Sequence, residues 1–328
     1  MPKTLTAITL FSGGLDSLLS VLWMQKLGVK VIPVFFRTPF FTEERAVQTA
    51  NANGLKLEVI DISKAHLEMM KNPRYGFGKN FNPCIDCHGL MFRLAGELLT
   101  QYNADFLISG EVLSQRPMSQ RRDAMNAVSK LSGYKDLLIR PLSQQLLEDT
   151  QPIREGWIKK SDMLAISGRS RKPQLALAKE LGVSVFPGPG GGCRLTDKNF
   201  SVRLRDLVEH NQLNLPEITL LKYGRHFRLD DKTKFIIGRD ENDNNNIIGA
   251  QAGFLFMLNE EIPGPLGLLC IKEIDDNLIS QAASLLAYYN SKSPDSVTIS
   301  YGFSFPLDKS VTVKKAAADL VNTLMVKE

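Results

Sequence analysis

Apolar residues come in short runs along the first part of the chain, at Leu5 to Phe11, Val29 to Phe36, Lys56 to Ile62, Phe106 to Gly110 and Leu137 to Pro141. Runs of that length bounded by turn residues predict buried strands, and the longer mixed stretches between them, such as Leu18 to Leu27, predict helices. Their alternation predicts a doubly wound parallel α/β sheet. In such a sheet ligands gather beyond the carboxyl ends of the strands, which brings together Ser12 to Ser17, Phe36 with Arg37, and Gly110 to Gln115.

From about Pro216 the pattern changes. Tyr223 to Leu229, the turn Asp230-Asp231 and Lys232 to Gly238 read as a hairpin, with strands expected at Gly253 to Leu258, Leu268 to Ile274 and Val297 to Tyr301. A helix at Leu278 to Tyr289 and a C-terminal helical stretch complete an α+β domain. The expected division is therefore 1–215 and 216–328, which suits 328 residues of 43% apolar content. Leu5 to Phe11 is too short for a signal-peptide core and no run approaches membrane-spanning length, so a cytoplasmic chain with no membrane contact is expected. The net charge of +5 is uneven: up to Leu215 there are 28 Lys and Arg against 20 Asp and Glu, and beyond it 12 against 15. The basic excess of the first part admits an anionic partner without requiring one.

Ser12-Gly13-Gly14-Leu15-Asp16-Ser17 stands between a predicted strand and a predicted helix. Two glycines let the backbone approach a ligand, and the helix that follows points its positive end at the same spot, an arrangement suited to phosphate or pyrophosphate. A lone Gly-Gly after a strand also makes a tight turn; the second strand after Gly28 completes the βαβ order that favours a ligand loop. The mononucleotide loop G-x-x-x-x-G-K-S/T and the dinucleotide fingerprint G-x-G-x-x-G are both absent. Of four cysteines, Cys84 and Cys87 form C-I-D-C, Cys193 ends the stretch Pro187 to Gly192, and Cys270 lies in an apolar run and is expected in the core. Three grouped thiols can hold zinc, with His88 the nearest fourth ligand, or a 4Fe–4S cluster with one iron open, or carry a persulfide; spacing does not choose.

S-G-G-x-D-S resembles the signature of the PP-loop ATP pyrophosphatases, of the adenine nucleotide alpha hydrolase-like fold. Taken with Asn82 to Cys87 and Gly110 to Gln120, it is similar to the PP-loop tRNA sulfurtransferases, especially the 4-thiouridine and 2-thiouridine synthases. The likeness covers about residues 5 to 200; it has one residue more between Gln115 and Ser119 than the 4-thiouridine signature G-D/E-x-L-x-Q-x-x-S-Q, and no counterpart of the RNA-binding region those enzymes carry ahead of the loop. Tyr223 to Arg228 and Ile237 to Asp240, followed by an Asn-rich turn, resemble the RNA-binding domain of the NFACT family.

The resemblance implies ATP with Mg2+ at Ser12, Gly13, Gly14, Leu15, Asp16, Ser17, Phe36, Gly110 and Gln115, and thiolation of a base in tRNA or another structured RNA. Asp16, Cys87 and Cys193 would be catalytic: a base carbonyl oxygen is adenylated, then AMP is displaced by sulfur. The sulfur comes from a persulfide or from a 4Fe–4S cluster on Cys84, Cys87 and Cys193; C-x-x-C plus one distant Cys is similar to the iron–sulfur members. The sulfur donor stays open. RNA is expected at Arg116, Arg121 and Arg122, with Lys130, Arg169, Arg171 and Lys172 as further candidates. In the hairpin, where six basic residues meet two acidic ones between Lys222 and Arg239, it is expected at Arg225, Arg228 and Arg239, with Tyr223, His226 and Phe227 for base stacking. Two rivals remain: a PP-loop amidotransferase or synthetase, which has no use for three cysteines, and an RNA-binding adapter with a regulatory or vestigial nucleotide site.

Overall fold

The computed structural model describes residues 4–116, 119–188, 193–249, 253–271 and 273–327. Pro117 and Met118 of the Gly110 to Gln120 segment, Pro189 to Gly192 of the Gly- and Pro-rich stretch, and Lys272 of an expected strand lie outside them. The chain divides into two compact units, Met1–Thr196 and Asp197–Glu328.

In the first unit β1 (Thr6–Leu10) leads into α1 (Leu15–Lys26), followed by β2 (Lys30–Arg37), α2 (Glu44–Ala52), β3 (Glu58–Asp61), α3 (Ser63–Lys71), α4 (Cys84–Glu97), β4 (Phe106–Ile108), α5 (Arg122–Ser132), β5 (Leu138–Ile139), α6 (Gln151–Arg154) and α7 (Lys172–Glu180). All four strand pairings are parallel, in the order β3-β2-β1-β4-β5. The chain therefore leaves β1 towards β2 and later fills the other side with β4, which makes the end of β1 the topological switch point. Side chains alternate across the strands. Ala7, Val31, Phe35, Phe106 and Ile108 share one core with Leu18, Met24, Ala46 and Leu177 of α1, α2 and α7. Ile8, Val34, Phe36 and Leu107 share the other with Phe92, Ala95 and Val128 of α4 and α5. This is the expected doubly wound sheet.

In the second unit α8 (Lys198–Glu209) and α9 (Leu215–Leu220) precede β6 (Arg225–Arg228), β7 (Lys234–Ile237), α10 (Glu241–Ile248), β8 (Leu255–Leu258), β9 (Gly267–Cys270), α11 (Asp276–Tyr288), β10 (Ser296–Gly302), β11 (Lys309–Lys314) and α12 (Ala318–Leu324). The strands form an antiparallel sheet in the order β11-β10-β8-β9-β7-β6. Ile279, Ala282 and Leu286 of α11 pack on one face. Leu220 and Ile247 cover the other, where Cys270 is a core residue as expected.

Three features differ from the reading of the chain. The division falls at Thr196 and not at 215, because α8 is bonded into the second unit: Arg203 donates to Leu221 O at 2.7 Å and to Gly224 O at 2.9 Å. The Asn-rich stretch is the helix α10, capped by Asp240, whose side chain accepts from Asp243 N at 2.8 Å. Lys309–Lys314, with Val311 and Val313 alternating with polar residues, pairs as β11 ahead of a seven-residue final helix.

Asp206 of α8 joins Arg228 at 2.6 Å and Lys234 at 2.8 Å, and the Lys234 side chain is only 1% exposed. Burial alone would raise the Asp206 carboxyl, but Arg228 and Lys234 outweigh it and hold it below its ordinary value. Asp206→Ala would leave Lys234 as a buried cation without its anion, at a cost of about 3–5 kcal/mol. The expected outcome is faster hydrogen exchange of the β7 amides in the full chain; wild-type protection would show the network to be dispensable.

Candidate functional site

The loop after β1 is held on both sides. Gly13 has φ +72°, and a Cβ there would stand 2.6 Å from Ala46 Cα, so no other residue suits the position. Thr49 Oγ1 of α2 donates to Gly13 O at 3.0 Å. Gly14 caps α1 without a capping side chain, which leaves the first-turn amides for a ligand. Ser17 Oγ donates to Gly14 O at 2.9 Å and lies 3.2 Å from Ser12 Oγ, so the two end hydroxyls of the motif meet across the loop. Leu15 turns its side chain into the core.

Asp16 is the one charged group of the loop. Gln115 Nε2 donates to its Oδ2 at 2.7 Å, while Oδ1 is buried and has no hydrogen-bond partner among the described residues. Burial lifts the carboxyl above its usual value, against the pull of Gln115 and of Arg171 and Arg116. Gln115 is itself oriented: Gln174 Nε2 of α7 donates to Gln115 Oε1 at 2.6 Å, which turns the Gln115 amide nitrogen towards Asp16. Gln174 is fully buried, and sequence reading passed over it, since a lone Gln in a helix carries no signal.

Gly110 closes the loop from the β4 side, where a Cβ would stand 2.6 Å from Ser17 Cα. The next residue, Glu111, has a side chain only 6% exposed. It accepts from Arg140 Nε at 2.9 Å and Ser109 Oγ at 3.1 Å, and its other oxygen lies 3.1 Å from His88 Nδ1. Burial works to raise its carboxyl, but Arg140 and His88 prevail and hold it at about 2. His88 belongs to α4, the helix that carries Cys84 and Cys87.

Phe36 does not reach the site as expected. Its ring is buried in the α4–α5 side of the core, so a nucleotide could meet only its backbone. Arg37 beside it is paired with Glu43 at 2.9 Å and Asp61 at 3.1 Å.

Cys84, Cys87 and Cys193 share one neighbourhood. After burial, the Cys193 and Cys84 sulfurs are the next causes that push the Cys87 thiol far above its ordinary value, and burial with Cys84 raises Cys193 to about 11. Cys193 is brought there by its flanks: Arg45 Nη2 donates to Gly188 O at 2.8 Å on one side, and Arg194 N to Phe40 O at 2.9 Å on the other. Phe40 packs on His66 with ring centroids 5.2 Å apart, and His66 Nε2 lies 3.3 Å from Cys87 Sγ. Burial drops His66 to about 4, so it is neutral beside the thiol. Among the described residues no three His, Cys, Asp or Glu side chains stand at metal-ligand spacing.

The arginines expected to meet RNA are mostly engaged. Arg228 donates to Asp206 and, at 2.7 Å, to Gln212. Arg239 pairs with Asp243 at 2.5 Å, Arg225 lies 4.6 Å over the Tyr289 ring, Arg121 pairs with Asp123, and Arg122 donates to Leu146 O at 3.0 Å. Arg116 is exposed and acts on Asp16. His226 and Phe227 are buried, which corrects their expected role in base stacking. Sequence counts the charges of this hairpin but not their partners.

A parallel α/β unit with an S-G-G-x-D-S loop at its switch point defines a PP-loop nucleotide-binding domain. Comparison with known proteins places it: residues 4–149 match the model of the family described as thiamine biosynthesis protein (ThiI), and residues 224–325 match that of the NFACT protein RNA binding domain. The first unit thus carries a ThiI-type domain and the second an NFACT-type one. A "Probable tRNA sulfurtransferase" of Oceanobacillus iheyensis is 26% identical over 45% of this chain and 38% of its own length. One of Thermococcus kodakarensis is 32% identical over 41% of this chain and 36% of its own. The chain thus spans little over a third of the length of the curated relatives it matches. A solved structure described as a 4-thiouridine synthetase–RNA complex with bound ATP is 22% identical, covering 54% of this chain and 51% of that one, with TM-score 0.35. Among the described residues no helix is long and apolar enough to cross a membrane.

Glu111 has its carboxyl at about 2 in the folded chain against an ordinary 4.5. Its contribution is therefore complete above pH 4.5 and lost as pH falls towards 2, amounting to about 3 kcal/mol. In Glu111→Gln the first unit should lose stability at neutral pH and lose less on acidification; identical acid unfolding profiles for the variant and wild type would overturn this role.

Proposed function

We propose that the chain is an ATP-dependent RNA sulfurtransferase that adenylates a carbonyl oxygen of a tRNA base and replaces that oxygen with sulfur. The observation that carries this reading is the segment Ser109 to Gln115: its Glu111 meets the thiol helix through His88, and its Gln115 meets the nucleotide loop through Asp16. Activation and sulfur delivery would thus share one wall.

In this scheme the first-turn amides of α1 and the Ser12 and Ser17 hydroxyls receive the pyrophosphate. Asp16 Oδ1, a buried oxygen without a donor, fits the Mg2+ that accompanies ATP. The base oxygen attacks the α-phosphate, the bond to pyrophosphate breaks, and Arg116 and Arg171 meet the developing charge. The terminal sulfur of a persulfide on Cys193, the more exposed thiol, then attacks the activated carbon, and AMP departs with the original oxygen. Cys87, as thiolate, attacks Cys193 Sγ, freeing the thiolated base and leaving a Cys87–Cys193 disulfide for a dithiol reductant. The grouping and chemistry of Cys84, Cys87 and Cys193 also fit a 4Fe–4S cluster if the three sulfurs draw together, and such a cluster would supply an iron free to deliver sulfide.

The test is full-length protein with unmodified tRNA, ATP, Mg2+ and a sulfur source, followed by mass spectrometry of the nucleosides. Cys87→Ala and Cys193→Ala should keep pyrophosphate release and lose the thiolated nucleoside, whereas an amide-forming enzyme on this loop would ignore both changes. Pyrophosphate release without any thiolated nucleoside in the wild type overturns the sulfur half of the reading. Iron analysis after anaerobic purification separates the two sulfur routes: fully active, iron-free protein excludes the cluster.

Gln174→Leu lets the Gln115 amide turn over. Losing one such orienting bond should slow pyrophosphate release roughly tenfold, the equivalent of about 1.4 kcal/mol. Gln174→Glu, which has no N–H to offer Gln115, should do no better. Full activity in both would remove Gln174 from the site.

A further inference from the structure

Asn72 to Asn82 run directly into the thiol helix α4. From Met69 to Ile85 there is no acidic residue, while Arg74 and Lys79 are interleaved with Tyr75, Phe77 and Phe81. The loop is fastened to the turn that carries the thiols. Asp86, between Cys84 and Cys87, accepts from Arg74 N at 2.7 Å and from Tyr75 N at 3.0 Å, and Asn82 Nδ2 donates to Cys84 Sγ at 3.0 Å. Phe77 and Phe81 stack with centroids 3.8 Å apart and planes 9° from parallel, which stiffens the loop from within. Outside, Arg74, Lys79 and Tyr75 are exposed, Tyr75 by 45%. No ion pair engages Arg74 or Lys79 among the described residues, unlike Arg121, Arg228 and Arg239.

We infer that this loop holds a single-stranded part of the RNA substrate against the thiols, with phosphates on Arg74 and Lys79 and a base on the Tyr75 ring. The inference rests on the reading of the chain as an RNA-thiolating enzyme and names the surface that presents the base. Unpaired cations alternating with an exposed ring, with no carboxylate to repel phosphate, are the chemistry of a single-strand platform. An acidic protein partner would be met by the cations alone and would leave the ring without a role.

The experiment is binding of labelled bulk tRNA to the full chain by fluorescence anisotropy across a salt series, with ATP binding measured in parallel. Arg74→Gln with Lys79→Gln should weaken tRNA binding at least tenfold and flatten the slope of log K against log salt by about 1.4, two contacts at roughly 0.7 each. Tyr75→Ala should cost about tenfold and Tyr75→Phe nothing, because stacking needs the ring and not the hydroxyl. ATP affinity should stay at the wild-type value throughout. Wild-type tRNA affinity and salt slope in the double variant overturn the inference. So does unchanged tRNA binding together with lost sulfur uptake from a donor protein, which would make the loop a protein-docking surface. A wild-type chain that binds ATP but no tRNA overturns the RNA reading itself.

Discussion

A carboxylate enclosed by protein can stay ionised only if cations and donors surround it, and Glu111 does so through Arg140, His88 and Ser109. That condition fixes the end of β4, the residue after β5 and the thiol-bearing helix relative to one another, since a slip of any would leave a charge in the apolar interior. Arg140 extends the constraint to α5, where it meets Ser129 Oγ at 3.0 Å. Asp16 is in a similar setting without such a partner, and its carboxyl moves the other way. Of these two buried carboxylates, one is balanced by the fold and the other awaits a cation from outside. The second is the functional one on that argument.

In the second unit the same rule governs arginine. Arg228 and Lys234 converge on Asp206, and Arg239 forks onto Asp243, so the hairpin's net positive charge is largely neutralised where it stands. These cations fasten α8 and α10 to the sheet. A domain of RNA-binding type can therefore look more basic in sequence than the surface it offers.

Much of the first unit was legible because its physics is local. Ala7 and Ile8, or Phe106 and Leu107, point to opposite cores, and that two-residue period is written in the chain. The loop was legible because Gly13 and Gly110 meet demands of backbone contact that no other residue satisfies. The partners were not. Arg140 for Glu111, Gln174 for Gln115 and His66 for Cys87 are 29, 59 and 21 residues away, and only the folded sheet brings them together. Phe36 was misjudged for a related reason: its place at the strand end is local information, whereas the side of the sheet it faces decides whether it meets ligand or core.

Gly13 rests on the backbone of Ala46 and Gly110 on that of Ser17, with no side chain between to yield. Peptide against peptide transmits displacement almost undiminished, so β4, α1 and α2 form the fixed jaw of a vice. Whatever travels during a catalytic cycle must then be mounted elsewhere, and a binder designed to arrest this protein would gain little by gripping the cradle itself.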